Sequence, residues 1–186
     1  DRGGDWSSDV CSSDLGERVI LKQILEAREN RVRTQIELMN IFRMPLISFT
    51  LNIPGKDKNS YIYIKVHEMG IYLLEEELGK LNINIVNKMV RNTTAGAEAF
   101  LSINMDPMNL KKITVSIEEK NELGRLFDFD VLNTKGENIS RIQIGLQERK
   151  CLLCNENAKG CGRSRKHSID DLLNKVNQII KNFNEH

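Results

Sequence analysis

Long hydrophobic runs are missing from this chain of 186 residues, and so is a large excess of charge of either sign. It holds one Trp, three Pro and four Cys, with 27 Lys plus Arg against 26 Asp plus Glu for a formal net charge of +1. No stretch approaches the roughly 18 to 20 apolar residues of a membrane helix, so no such helix lies within this sequence. Four Cys are too few for a disulfide scaffold of this length, and collagen-like and disordered compositions are likewise excluded. What is present is 40% hydrophobic residues, enough for an ordinary core in one domain or two small ones.

Residues 1–15, DRGGDWSSDVCSSDL, differ from the rest. They carry four Ser and four Asp, no amphipathic period, and neither the basic start nor the apolar middle of a secretory signal. GDWSSDVCSSDL resembles the conceptual translation of a short-read sequencing adaptor, so the segment is read as non-native and the domain as residues 16–186. Without one Arg and four Asp, the remaining 171 residues hold 26 basic and 22 acidic side chains, a net +4. The protein is expected to be cytoplasmic, with reduced thiols.

Glu17 to Arg43 has helical periodicity, with Leu21, Leu25, Val32, Ile36, Met39 and Phe42 as its apolar stripe. Arg28, Arg31 and Gln35 fall close to that stripe, and a buried guanidinium needs an anionic partner, either a carboxylate of this chain or a phosphate of a ligand. Strands are expected at Leu46–Asn52, Leu81–Arg91 and Ala99–Asn104, with a turn at 92–98 and a turn at Ile53–Lys56. Helices are expected at Ser60–Gly79, from Asp106-Pro107 to about Asn121, and from Ser168 onward. Gly124 to Ile144 reads as a hairpin turning at Asn133–Gly136. His67 reads as structural. The sum is a single compact α+β domain with a mixed or antiparallel sheet and helices at both ends.

Asp128 and Asp130 share one face of a strand while Phe127, Phe129 and Val131 share the other. Two carboxylates so placed suit a hard divalent cation such as Mg2+, which clamps phosphate oxygens in phosphoryl transfer. They equally suit a solvated hairpin face with cross-strand ion pairs, for which Arg125 before them and Arg141 on the returning strand are partners. Cys151-x2-Cys154-x6-Cys161-x5-His167 has ligand types and spacings for tetrahedral zinc, against the alternative of packed, reduced thiols. Arg149, Lys150, Arg163, Arg165 and Lys166 are interleaved with these residues, a basic concentration for a phosphorylated ligand. No aromatic residue accompanies them for base stacking, which argues against nucleic acid.

Taken together, LEARENR (25–31), NIPGK (52–56), LGRLFDFDV (123–131), SRIQIGLQERKCLLC (140–154) and CGRSRKHS (161–168) resemble the holo-acyl-carrier-protein synthase of citrate lyase, the apo-citrate lyase phosphoribosyl-dephospho-CoA transferase family. The resemblance implies a transferase that moves 2'-(5''-triphosphoribosyl)-3'-dephospho-CoA onto a serine of the citrate lyase acyl-carrier subunit, releasing diphosphate. On that reading Asp128, Asp130 and Arg125 serve catalysis, and Arg28, Arg31, Lys56, Arg141, Arg163 and Arg165 serve substrate or partner binding. The family's His-Pro is replaced here by Asn121-Glu122, and a Pro by Ala97. Zinc rests on spacing alone. The competing expectation is a zinc-stabilised basic module that binds nucleic acid or an acidic protein without catalysis.

Overall fold

The computed structural model describes the backbone of residues 9–185 and the side chains of residues 22–185. Much of the segment set aside as non-native therefore lies outside the described residues. Strands β1 (Leu46–Leu51), β2 (Ile85–Thr93), β3 (Gly96–Ile103) and β4 (Phe127–Leu132) form one antiparallel sheet in the order β2-β3-β1-β4. Around it stand α1 (Asp9–Phe42), α2 (Tyr61–Lys80), α3 (Pro107–Lys120), the short α4 (Ala158–Ser164) and α5 (Ile169–Asn184). The expected α+β architecture is borne out. No described helix is long and apolar enough to cross a membrane.

Strand alternation sorts the sheet into two faces. Ile47 and Phe49 of β1, Ala99 and Leu101 of β3, and Phe127, Phe129 and Val131 of β4 point to the main core, with α2, α3 and α5 completing it. There the Phe49 ring stacks on Phe129 with centroids 4.1 Å apart and meets Phe127 edge-on at 5.6 Å. Each fully buried ring of this kind stabilises the fold by roughly 1.5–3 kcal/mol. His67 of α2 stacks on the other side of Phe49 at 4.6 Å, the structural place expected for it.

The opposite face carries Ser48, Glu98, Phe100, Ser102, Asp128 and Asp130 and is partly polar. That polarity corrects the expected orientation of α1. Leu25, Val32 and Ile36, the expected inner stripe, are about half exposed at 49%, 54% and 51%. Ala27, Thr34, Leu38 and Met39 are buried instead. The helix turns its polar flank onto the sheet because the sheet offers polar partners: Gln35 Nε2 donates to Ser48 Oγ at 2.9 Å, and Arg31 meets Glu98. Arg28 is exposed rather than near the buried face. A smaller apolar patch, Leu38, Met39, Leu46, Phe100 and Leu132, fixes the C-terminal half of α1.

The expected hairpin over 124–144 is only half present. Leu123 and Gly124 lie in a 3-10 turn, and β4 starts at Phe127. The return has no strand: it makes one bridge, Leu132↔Asn138, then a second 3-10 turn at Ile142–Ile144. Helix α3 occupies the edge that a returning strand would have taken. Lys111 Nζ donates to the Phe129 carbonyl at 2.7 Å, and the Phe129 N–H donates to Glu118 Oε1 at 3.2 Å. These two residues, two helical turns apart, satisfy the free edge of β4 as a neighbouring strand would. Other bounds shift by less: β2 begins at Ile85 rather than Leu81, β3 at Gly96 rather than Ala99, and α1 at Asp9 rather than Glu17.

Candidate functional site

The β4 edge opens into a pocket of about 560 Å³ whose floor is the Asp128 and Asp130 face of the strand. Register with β1 explains the pairing: Asp130 lies opposite Ser48 and Asp128 opposite Thr50, so both carboxylates stand on the face away from the phenylalanine core. Asp130 Oδ1 accepts from Asn138 Nδ2 at 2.7 Å, and Asp128 Oδ1 lies 3.7 Å from Arg149 Nη1. About half of the Asp128 side chain reaches solvent. Even so, the surrounding protein raises its carboxyl above the ordinary value, Asp130 adds repulsion, and Arg149 pulls the other way. Its solvent access limits the size of that effect.

Half of the cations in the pocket, Lys111 and Lys159, are residues that sequence reasoning does not single out. Lys111, Arg149 and Lys159 line it together with Arg141. Lys111 is buried, which lowers its pKa against the opposing pull of Glu118, Asp130 and Asp128. Nothing in the sequence marks it, since it lies on a helix seventeen residues before Asp128 and reaches the site only because α3 seals the sheet edge. Arg149 carried a weak signal as one member of the basic run.

Two expected site arginines turn to structural partners. Arg141 Nη1 and Nη2 pair with Glu119 at 2.7 Å and Glu118 at 2.5 Å, so it lines the pocket with its charge already matched. Arg125 Nη2 donates to the carbonyls of Lys150 at 3.0 Å and Cys151 at 2.9 Å. Burial and the nearby Arg149 lower its pKa. Arg31 is held by Glu98, whereas Arg28, Lys56, Arg163 and Arg165 are exposed and lie outside this pocket.

The cysteine segment folds as its spacing requires. Asn157 caps α4 by accepting from the N–H groups of Lys159 and Gly160, which brings Cys161 back toward Cys151 and Cys154. Ligand atoms of Cys151, Cys154, Cys161 and His167 all lie within 4.8 Å of one another. Cys154 Sγ is 3.6 Å from Cys161 Sγ and 3.3 Å from His167 Nε2. A tetrahedral ion with metal–sulfur bonds of about 2.3 Å needs edges of roughly 3.8 Å, so the four groups fit a metal with small adjustments. Burial and the neighbouring thiols push Cys161 up to about 12. Crowded sulfurs of this kind are hard to ionise together until a cation joins them.

Comparison with known proteins gives a consistent result. The sequence profile described as apo-citrate lyase phosphoribosyl-dephospho-CoA transferase matches residues 19–183. A protein of Vibrio cholerae serotype O1, called probable apo-citrate lyase phosphoribosyl-dephospho-CoA transferase, is 37% identical over 166 residues, covering 89% of this chain and 93% of its own. The apo-citrate lyase phosphoribosyl-dephospho-CoA transferase of Escherichia coli (strain SE11) is 33% identical over 162 residues, 87% of this chain and 88% of its own. Protein CitXG of Haemophilus influenzae is 35% identical over 176 residues; the chain spans 38% of that relative's length.

Proposed function

The chain belongs to the apo-citrate lyase phosphoribosyl-dephospho-CoA transferase family, and on that footing we propose that it transfers the 2'-(5''-triphosphoribosyl)-3'-dephospho-CoA precursor to a serine of the citrate lyase acyl-carrier subunit with release of diphosphate. The observation that carries this reading beyond the family name is the pocket at the β4 edge. The Asp128 and Asp130 carboxylates line it together with Lys111, Arg149 and Lys159.

Asp128 and Asp130 are the residues that would hold Mg2+, since both carboxylates stand on one face of β4 and line the same pocket. When bound, such an ion neutralises charge on the phosphate oxygens and the departing diphosphate. Arg149 and Lys159, which line the pocket with Lys111, bind the triphosphate, and the hydrogen bond from Asn138 orients Asp130. The acceptor hydroxyl belongs to the partner, so attack in line at the phosphorus nearest the ribose needs no nucleophile from this chain. One phosphorus–oxygen bond forms to the serine, one breaks to diphosphate, and the serine proton leaves to solvent or a phosphate oxygen.

Zinc at Cys151, Cys154, Cys161 and His167 is structural in this account, because all four positions of a tetrahedral ion are taken by protein groups. The exposed Arg163 on α4 and Arg165 just after it serve the acidic surface of the carrier subunit, steering its approach. The protein works in the cytoplasm, where the thiols stay reduced. The test is incubation of apo-citrate lyase carrier subunit with the triphosphoribosyl precursor, Mg2+ and this protein, read by intact mass. A carrier gaining the precursor less diphosphate is expected; an unmodified carrier overturns the reading.

A further inference from the structure

A second group of cations lies on the same sheet face as the Asp pair, at the other side of β1. Its base is Glu98, which is fully buried at 0% exposure. Arg31 Nε and Nη2 both approach Glu98 Oε1 at 2.8 Å, and Arg91 Nε and Nη2 approach Oε2 at 3.0 Å. One carboxylate therefore carries two guanidinium groups. Lys58 joins them from the loop after β1: its Nζ donates to the Ile53 carbonyl at 2.8 Å, and its Cβ would lie 3.3 Å from a Cβ on Gly96, two residues before Glu98 on β3. Arg28 is one helical turn before Arg31 on α1, is exposed, and has no carboxylate partner among the described residues.

The sheet sets the distance from this cluster to the Asp pair. Ala99 lies opposite Phe49, so Glu98 and Thr50 are neighbours on one face, and Thr50 is opposite Asp128. Glu98 and Asp128 are thus separated by two strand spacings, about 10 Å at roughly 4.8 Å each. Asn52, just past the end of β1, lines the Asp pocket.

We propose that Arg28, Arg31 and Lys58 form a second anion subsite, which takes the diphosphate of the dephospho-CoA half of the donor while the Asp128 pocket takes the triphosphate. This rests on the transferase reading above. The donor carries its two phosphate groups on two linked pentoses, with about twelve bonds between the phosphorus atoms nearest each sugar and so a contour of up to about 18 Å at about 1.5 Å per bond, long enough to bridge the separation across β1. Arg31 is positioned by Glu98 and keeps further N–H groups for a ligand, and Lys58 keeps two of its three protons. The Lys58 ammonium is already lowered by burial and by the charges of Arg28 and Arg31, so an anion placed among them relieves a crowding of like charge.

Calorimetric titration of 3'-dephospho-CoA, which lacks the triphosphoribosyl arm, tests the subsite directly. Wild-type protein is expected to bind it, Arg28→Gln and Lys58→Gln each to weaken it by about tenfold, and Asp128→Asn/Asp130→Asn to leave it within about twofold. Arg28 is exposed, so its variant keeps the fold even if Lys58→Gln does not. Absence of binding by the wild type, or unchanged affinity in Arg28→Gln, overturns the subsite whatever the transfer assay shows. Binding with the expected losses but no transfer from the full precursor leaves the subsite standing and overturns the transferase reading instead.

Discussion

Arg149 holds the backbone at Arg125, and Arg125 holds the backbone just after Arg149. Arg149 Nη2 donates to the carbonyls of Gly124 at 3.1 Å and Arg125 at 3.0 Å, and Arg125 Nη2 donates to those of Lys150 and Cys151. This reciprocal clasp ties the segment leading into β4 to the start of the cysteine cluster. It also sets the remaining arm of Arg149, Nη1, beside Asp128.

Arg149→Ala removes two charge-assisted hydrogen bonds and the cation facing Asp128. A loss of about 2–4 kcal/mol in unfolding free energy is expected, together with weaker triphosphate binding. Arg149→Lys should recover less than half of the stability, since an ammonium cannot reproduce the planar fork. Urea unfolding of both variants decides this; equal stability of the Lys variant and the wild type would contradict the clasp.

The cysteine cluster is expected to hold one zinc per chain in protein prepared without a polyhistidine tag. Cys154→Ser, which alters the sulfur shared by the Cys161 and His167 contacts, should lower the melting temperature by roughly 5–10 °C, equivalent to about 2–3 kcal/mol. Elemental analysis combined with calorimetric melting is the check. A metal-free wild type with the melting temperature of the metal-loaded protein would exclude a structural ion.

The fully buried Glu98 carboxylate compensates the partly exposed Arg31 and Arg91. Glu98→Gln leaves both guanidinium groups against a neutral amide, and a cost of about 3–5 kcal/mol is expected. Double-mutant analysis with Arg91→Met should recover part of it, because removing the second charge relieves the first. Additive losses would show that the ionic triad is not coupled.

The pH dependence of stability should report His67. Burial against Phe49 lowers its pKa below the ordinary value of 6.5 despite a contact with the Phe49 carbonyl. Below pH 6.5 the unfolded chain takes up a proton that the folded one does not, so stability falls as pH drops from 6.5 towards the lowered folded pKa. The slope is at most about 1.4 kcal/mol per pH unit. His67→Gln should flatten this part of the profile in chemical unfolding between pH 5 and 7; an unchanged slope would remove His67 as its cause.

Much of this architecture was legible in the sequence, for reasons that differ by element. Alternation around Phe127, Phe129 and Val131 marked the core face of β4, and Asp106-Pro107 and Ser168 marked helix starts by their capping chemistry. The cysteine spacing anticipated a cluster that the fold does assemble. Helix α1 departs from the orientation its apolar stripe predicts because Ser48 and Glu98 on the sheet select Gln35 and Arg31. The return strand that the hairpin pattern predicts is absent because α3 takes the β4 edge through Lys111 and Glu118, a tertiary substitution with no local signal. For the same reason no local signal marks Lys111 as a pocket residue, and of the two roles open to Arg125 and Arg141 in the sequence, ligand binding or pairing within the chain, the contacts made are within the chain.

Intact-mass measurement of the carrier subunit with the Asp128→Asn/Asp130→Asn variant tests the central claim most directly. Both side chains keep their size on the solvent-facing side of β4, so folding and carrier binding should persist while transfer falls by at least about a thousandfold at saturating Mg2+ and precursor. A folded variant that modifies the carrier at the wild-type rate would contradict the assignment of transfer to this pocket.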